Sequence, residues 1–222
     1  MTELAPRRFR AIVFDWDGTL ADSTAIIAAA MQQACRDVGE PPPADEDARY
    51  VIGLGLTDAL RHVAPRLAVE RHMELAARYR HHYFAHALSI PLFTGVREML
   101  TEMNAAGHVL GIATGKSRHG LDHALDQQEV RHFFTATRCA DEGFAKPHPG
   151  MLLHLMDQVG ADPGETLMIG DTTHDLQLAA NAGAASLGVS YGAHEHEAFR
   201  AYSTAHVAHS TAELRAWLEI HA

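Results

Sequence analysis

The chain is short of several things, and each shortage excludes a class. It has two cysteines in 222 residues, Cys35 and Cys139, far apart and in no Cys-x-x-Cys. A disulfide framework is therefore not expected, which fits a reducing cytoplasm. No run of about 18 apolar residues occurs, so no transmembrane span is expected. The opening stretch from Met1 to Arg8 lacks an apolar segment of the kind that marks a secretory signal. Positive charge is also scarce, with 18 Lys and Arg against 28 Asp and Glu and a formal net charge of −10. No basic stripe is available for a nucleic-acid backbone. Small phosphorylated substrates remain open, because a metal and one or two local cations can reverse the field inside a cleft. The expectation is a cytoplasmic protein with neither a membrane nor a nucleic-acid partner.

What the chain does have is ordinary globular material, 47% hydrophobic and 21% charged. That suffices for one substantial core, or one core with a small accessory domain. Histidine is abundant at 17 residues. His81, His82 and His86 cluster, as do His194 and His196, but neither group carries the neighbours of a zinc motif. They read as solvated surface.

The most informative segment is Val13-Phe14-Asp15-Trp16-Asp17-Gly18-Thr19-Leu20. Arg10 to Phe14 reads as a buried strand, and alternation puts Asp15 and Asp17 on one face with Trp16 turned away. Gly18 permits the positive φ of a sharp turn. Two neighbouring carboxylates repel and resist desolvation, a cost that a divalent cation or a shared proton would relieve.

Downstream, Asp22-Ser23-Thr24 predicts a cap for a helix running through Ile26, Ile27, Met31 and Cys35 to about Gly39. Pro41-Pro42-Pro43 and Asp45-Glu46-Asp47 read as a break. A short helix opens after Gly53-Leu54-Gly55-Leu56-Thr57-Asp58, and Glu70 to Ala87 reads as another. From Pro91 onwards helices alternate with short apolar runs. Strands are predicted at His108–Thr114, Phe134–Thr137, Thr166–Ile169 and Ala185–Val189. Helices are predicted at Val96–Ala106, Arg118–Gln127, Met151–Val159 and Asp175–Ala182. This alternation predicts an α/β fold, a doubly wound and mainly parallel sheet with helices on both faces. Ligands of such sheets sit beyond the C-terminal strand ends, where Asp15, Thr114 and Asp171 could converge.

Ile112-Ala113-Thr114-Gly115-Lys116-Ser117 ends a strand with a hydroxyl and free backbone N–H groups suited to phosphate oxygens. Its spacing does not make a P-loop, since Gly111 lies one place late and inside the strand. Ala145-Lys146-Pro147-His148-Pro149-Gly150 fixes a lysine before a proline-stiffened turn, a candidate cation for a phosphoryl group. In Gly170-Asp171-Thr172-Thr173-His174-Asp175, Asp171 should point into the cleft and Asp175 should sit in the first turn of a helix. Asp15, Asp17, Asp171 and Asp175 make an oxygen-rich, sulfur-free set that suits Mg²⁺ rather than zinc.

These four motifs, in this order, resemble those of the haloacid dehalogenase-like superfamily. The helical stretch between the first two resembles the small cap of its phosphoglycolate phosphatase-like branch. Val51-Ile52-Gly53-Leu54-Gly55-Leu56 and Phe93-Thr94-Gly95-Val96 resemble that branch's cap patterns. The resemblance implies a Rossmann-like core over residues 1–19 and 92–222, with an inserted helical cap over 20–91. It implies that Asp15 attacks phosphorus and that Asp17 serves as acid and base. Thr114, Gly115 and Lys146 would hold phosphoryl oxygens, and Asp15, the Asp17 carbonyl, Asp171 and Asp175 would bind or support Mg²⁺. Two departures stand out: Trp16 replaces a common Leu or Met, and Gly115 stands where many relatives have asparagine.

The activity so implied is Mg²⁺-dependent hydrolysis of a small phosphomonoester such as phosphoglycolate. Alternatives are a pyrophosphatase, a sugar-phosphate phosphatase, a phosphomutase resembling β-phosphoglucomutase, or a non-catalytic phospho-ligand binding protein. In the cap, Arg49, Gly53 and Arg61 are candidate substrate contacts. A monomer or homodimer with a small phosphorylated metabolite as partner is expected. Leu20–Ser23 and Leu88–Phe93, where the chain crosses between core and cap, are expected to hinge.

Overall fold

The computed structural model describes residues 8–222. The reading that Met1 to Arg8 carries no secretory signal falls, for Met1 to Arg7, outside the described residues. Six strands form one all-parallel sheet: β1 (Ala11–Phe14), β2 (Val109–Thr114), β3 (Ala136–Cys139), β4 (Thr166–Gly170), β5 (Ala185–Val189) and β6 (His206–Ala208). Their order across the sheet is β3-β2-β1-β4-β5-β6. The order reverses at β1, so the crevice where such sheets bind ligands opens beyond its end. β1, β2 and β4 are apolar along nearly their whole length because both faces of the sheet are covered, leaving no solvent side to demand alternation.

Nine α-helices lie among the described residues. Four come between β1 and β2: α1 (Thr24–Asp37), α2 (Asp45–Tyr50), α3 (Leu56–Val63) and α4 (His72–His86). No described residue from 24 to 89 lies in a strand. This segment has its own apolar cluster, in which Met31, Cys35, Leu60, Val63 and Leu75 are buried together. The remaining helices flank the sheet: α5 (Val96–Ala105), α6 (Arg118–Gln127), α7 (Gly150–Val159), α8 (Thr173–Ala182) and α9 (Thr211–His221).

Three differences from the sequence reading are instructive. The Asp45-Glu46-Asp47 run does not break the chain but forms the acidic first turn of α2, where carboxylates favour the helix dipole. β6 and α9 lie beyond the last predicted strand. Ser23 sits at the N-cap of α1 but makes no capping hydrogen bond; its hydroxyl is used elsewhere.

The chain leaves and re-enters the sheet side by side. Asp22 N–H donates to the Pro91 carbonyl at 3.0 Å, and Phe93 N–H donates to the Leu20 carbonyl at 3.0 Å. Both crossings thus run as one short paired ribbon, rather than as two independent loops.

Candidate active site

Strand ends gather the predicted residues. β1 delivers Asp15 immediately past Phe14, and the turn at Gly18 (φ +81°) brings Thr19 back beneath it. A β-carbon on Gly18 would overlap the Asp171 carboxylate, so this turn needs glycine for space as well as for backbone conformation. β4 delivers Asp171, and the capping box of α8 fixes Asp175: Thr172 Oγ1 and N–H donate to Asp175 Oδ2 at 2.7 and 3.1 Å. Asp15, Asp171 and Asp175 are fully buried and each offers an oxygen within 4.8 Å of the others.

Lys146 is buried among them. Its Nζ lies 2.8 Å from Asp15 Oδ1 and donates to Asp175 Oδ1 at 2.7 Å. Burial opposes its charge, but Asp15 and Asp175 outweigh that and hold the ammonium above its usual pKa. Oδ1 of Asp15 is thus ion-paired with Lys146, while its buried Oδ2 has no hydrogen-bond donor. Burial pushes the Asp15 carboxyl up to about 7, against the pull of Lys146 and with Asp175 adding repulsion. Asp171 is raised in the same way, first by burial and then by Asp15 and Asp175, although Thr19 Oγ1 (2.8 Å) and the Ala193 N–H (2.7 Å) donate to it. Three mutually close buried carboxylates, of which Lys146 pairs with only Asp15 and Asp175, suit a further divalent cation. An all-oxygen donor set fits Mg²⁺.

Asp17 stands apart from this group. Lys116 Nζ donates to its Oδ1 and Oδ2 at 3.0 and 2.9 Å, and Ser23 Oγ donates to Oδ1 at 2.7 Å. Lys116 also donates to the Tyr83 hydroxyl at 2.8 Å, linking the loop after β2 to α4. Thr114 is buried at the end of β2, and its Oγ1 accepts from the Lys116 N–H at 3.2 Å.

The loop from Val51 to Leu56 lies over the site. A β-carbon on Gly115 would stand 2.6 Å from the carbonyl oxygens of Gly53 and Leu54, which accounts for glycine there. A β-carbon on Gly53 would meet Thr172 Oγ1 at 3.1 Å. The cap candidates therefore separate. Gly53 is packed against two of the motif loops. Arg49 instead pairs with Asp45 along α2, and Arg61, well exposed, pairs with Asp58 along α3.

His194 corrects the surface reading of its cluster. It is half-buried; its Nδ1 accepts from the Thr173 N–H at 3.1 Å, and its Nε2 lies 3.0 Å from the Tyr50 carbonyl. His174 Nε2 reaches the same carbonyl at 2.8 Å. Ser23, Tyr83 and Lys116 join the site through contacts that the sequence does not announce. Only Lys116 carried a signal, two places beyond Thr114 in a strand-end loop.

With this geometry in place, comparison with known proteins is decisive. Residues 12–189 match the family model described as "Haloacid dehalogenase-like hydrolase". The chain belongs to that family. It is 33% identical to the "Phosphoglycolate phosphatase" of Vibrio vulnificus (strain CMCP6) over 221 residues, covering 95% of this chain and 96% of that one. It is 33% identical over 196 residues to the "Probable phosphatase IndB" of Dickeya dadantii (strain 3937), covering 86% and 85%. A solved haloacid dehalogenase-like family hydrolase from Streptococcus pneumoniae superposes with a TM-score of 0.81 at 26% identity, covering 95% of this chain and 98% of that one.

Proposed function

We propose that this member of the family is a Mg²⁺-dependent phosphatase acting on a small, phosphoglycolate-like phosphomonoester. The observation that carries the reading is the Asp15 carboxylate, fully buried, ion-paired with Lys146 through Oδ1 and without a donor on Oδ2, at the same edge as Asp171 and Asp175. A buried carboxylate held at one oxygen by a lysine and free at the other is placed to act as a nucleophile.

In this account Asp15 attacks phosphorus and the ester P–O bond breaks. Asp17 gives its proton to the departing oxygen. Asp17, now a carboxylate, takes a proton from water, whose oxygen attacks phosphorus and breaks the bond to Asp15. Thr114, the Gly115 backbone and Lys146 hold phosphoryl oxygens. Asp15, the Asp17 carbonyl and Asp171 would bind Mg²⁺, with Asp175 supporting through Lys146 and Thr172. The metal would supply positive charge that makes attack of one anion on another tolerable. Residues 20–91 act as a cap over a core formed, among the described residues, by 8–19 and 92–222, closing through the paired crossings to exclude water.

The test is phosphate release from phosphoglycolate, pyrophosphate and several sugar phosphates, in Mg²⁺ and in chelator, beside Asp15→Asn. Metal-dependent turnover that the variant loses supports the reading. Turnover by Asp15→Asn at the parental rate contradicts it.

A further inference from the structure

Of the two ammonium groups in the site, Lys146 is held on the nucleophile's side, by Asp15 and Asp175. Lys116 is held on the other side, by Asp17. On the reading above, Asp17 serves the departing oxygen, so Lys116 stands beside the leaving group and not beside the phosphoryl group. Its side chain is 7% exposed, its Nζ lies 4.7 Å from the centre of the Tyr83 ring, and three acceptor atoms surround it: both Asp17 oxygens and the Tyr83 hydroxyl.

That arrangement cannot persist through the reaction. When Asp17 carries the proton that it gives to the ester oxygen, Lys116 loses its ionic partner and keeps only neutral acceptors. A buried ammonium left without a counter-charge is strongly disfavoured. A negative group on the substrate would restore the pair, and the enclosed position beneath α4 strengthens that attraction relative to water.

We propose that Lys116 determines specificity: it exchanges the Asp17 carboxylate for an anionic group on the leaving side of the substrate. The selected class is phosphomonoesters whose leaving group bears a negative charge close to the ester oxygen, over those with neutral leaving groups such as sugars. The inference rests on the phosphatase reading and on the role of Asp17 within it.

The test compares two probes of matched carbon count, 2-phosphoglycolate and ethyl phosphate, with the parent protein, Lys116→Met and Lys116→Arg, all in Mg²⁺. The parent should prefer phosphoglycolate. In Lys116→Met the ratio of kcat/KM for the two probes should fall about tenfold or more, carried mainly by the KM for phosphoglycolate. Lys116→Arg, which keeps the charge, should recover part of the ratio and guards against a folding defect in the methionine variant. Equal losses on both probes, with the ratio intact, would mean that Lys116 only positions Asp17, and would overturn the inference. A parent that prefers ethyl phosphate would overturn it while leaving the phosphatase reading standing. Turnover of neither probe nor of any sugar phosphate would overturn both.

Discussion

Gly115 and Gly53 lie so close that a single β-carbon on the first would stand 2.6 Å from the carbonyl of the second. Backbone meets backbone there, so neither side can give way as a flexible side chain would. Gly115→Ala should fold, because the clash arises only when the loop from Val51 to Leu56 is seated on the core. It should hold that loop off and lower kcat/KM by about 10–100-fold. Steady-state kinetics with a melting curve checks this; a variant with parental kinetics would show that the loop need not seat.

Ser23 donates to Asp17 Oδ1 at 2.7 Å instead of capping its helix. Removing the hydroxyl leaves Asp17 held by Lys116 alone. Ser23→Ala should lower kcat about tenfold and move stability by no more than about 1 kcal/mol. Parallel kcat and thermal unfolding measurements separate the two effects.

Metal removal should make stability fall as pH rises. The Asp15 carboxyl is raised from 3.8 to about 7 in the folded protein, chiefly by burial. Below 3.8 both folded and unfolded states carry the proton and the group contributes nothing. Between 3.8 and about 7 the unfolded state ionises first, so folding loses about 1.4 kcal/mol per pH unit until the folded state ionises too. Asp171 is shifted in the same direction. Urea unfolding in chelator at pH 5 and pH 7 should therefore show the lower stability at pH 7. Asp15→Asn should flatten that difference, and Mg²⁺ should offset it.

The helical segment has an apolar cluster of its own, and Leu75 sits in it without exposure. Leu75→Ala should cost about 2–5 kcal/mol. Far-UV circular dichroism during urea unfolding would register the loss as an earlier transition.

How much of this was legible beforehand depended on whether the signal was local. Asp15, Thr114 and Asp171 could be placed together because parallel strands deliver their C-terminal ends to one edge, whatever their separation in sequence. The short β6, three residues at the sheet edge and mostly half-buried, carries too little pattern to recognise. Ser23 reads as a helix cap because serine before a helix usually is one; only the fold shows its hydroxyl donating to Asp17 and accepting from no helix N–H. His194 looked like surface because its partners, Thr173 and Tyr50, are 21 and 144 residues away. Arg49 and Arg61 were candidates on charge alone, and each has a carboxylate on its own helix within reach.

The account turns on Asp15 as the nucleophile, and trapping the phosphorylated residue tests that most directly. Asp17→Asn should slow hydrolysis of the intermediate, so that acid-quenched protein given phosphoglycolate and Mg²⁺ accumulates an acyl phosphate. Borohydride reduction of that species converts the modified aspartate to homoserine, which peptide mass spectrometry locates. The account predicts homoserine at position 15 and nowhere else. Steady phosphate release by the parent with no reducible label at position 15, or with the label on another carboxylate, would contradict it.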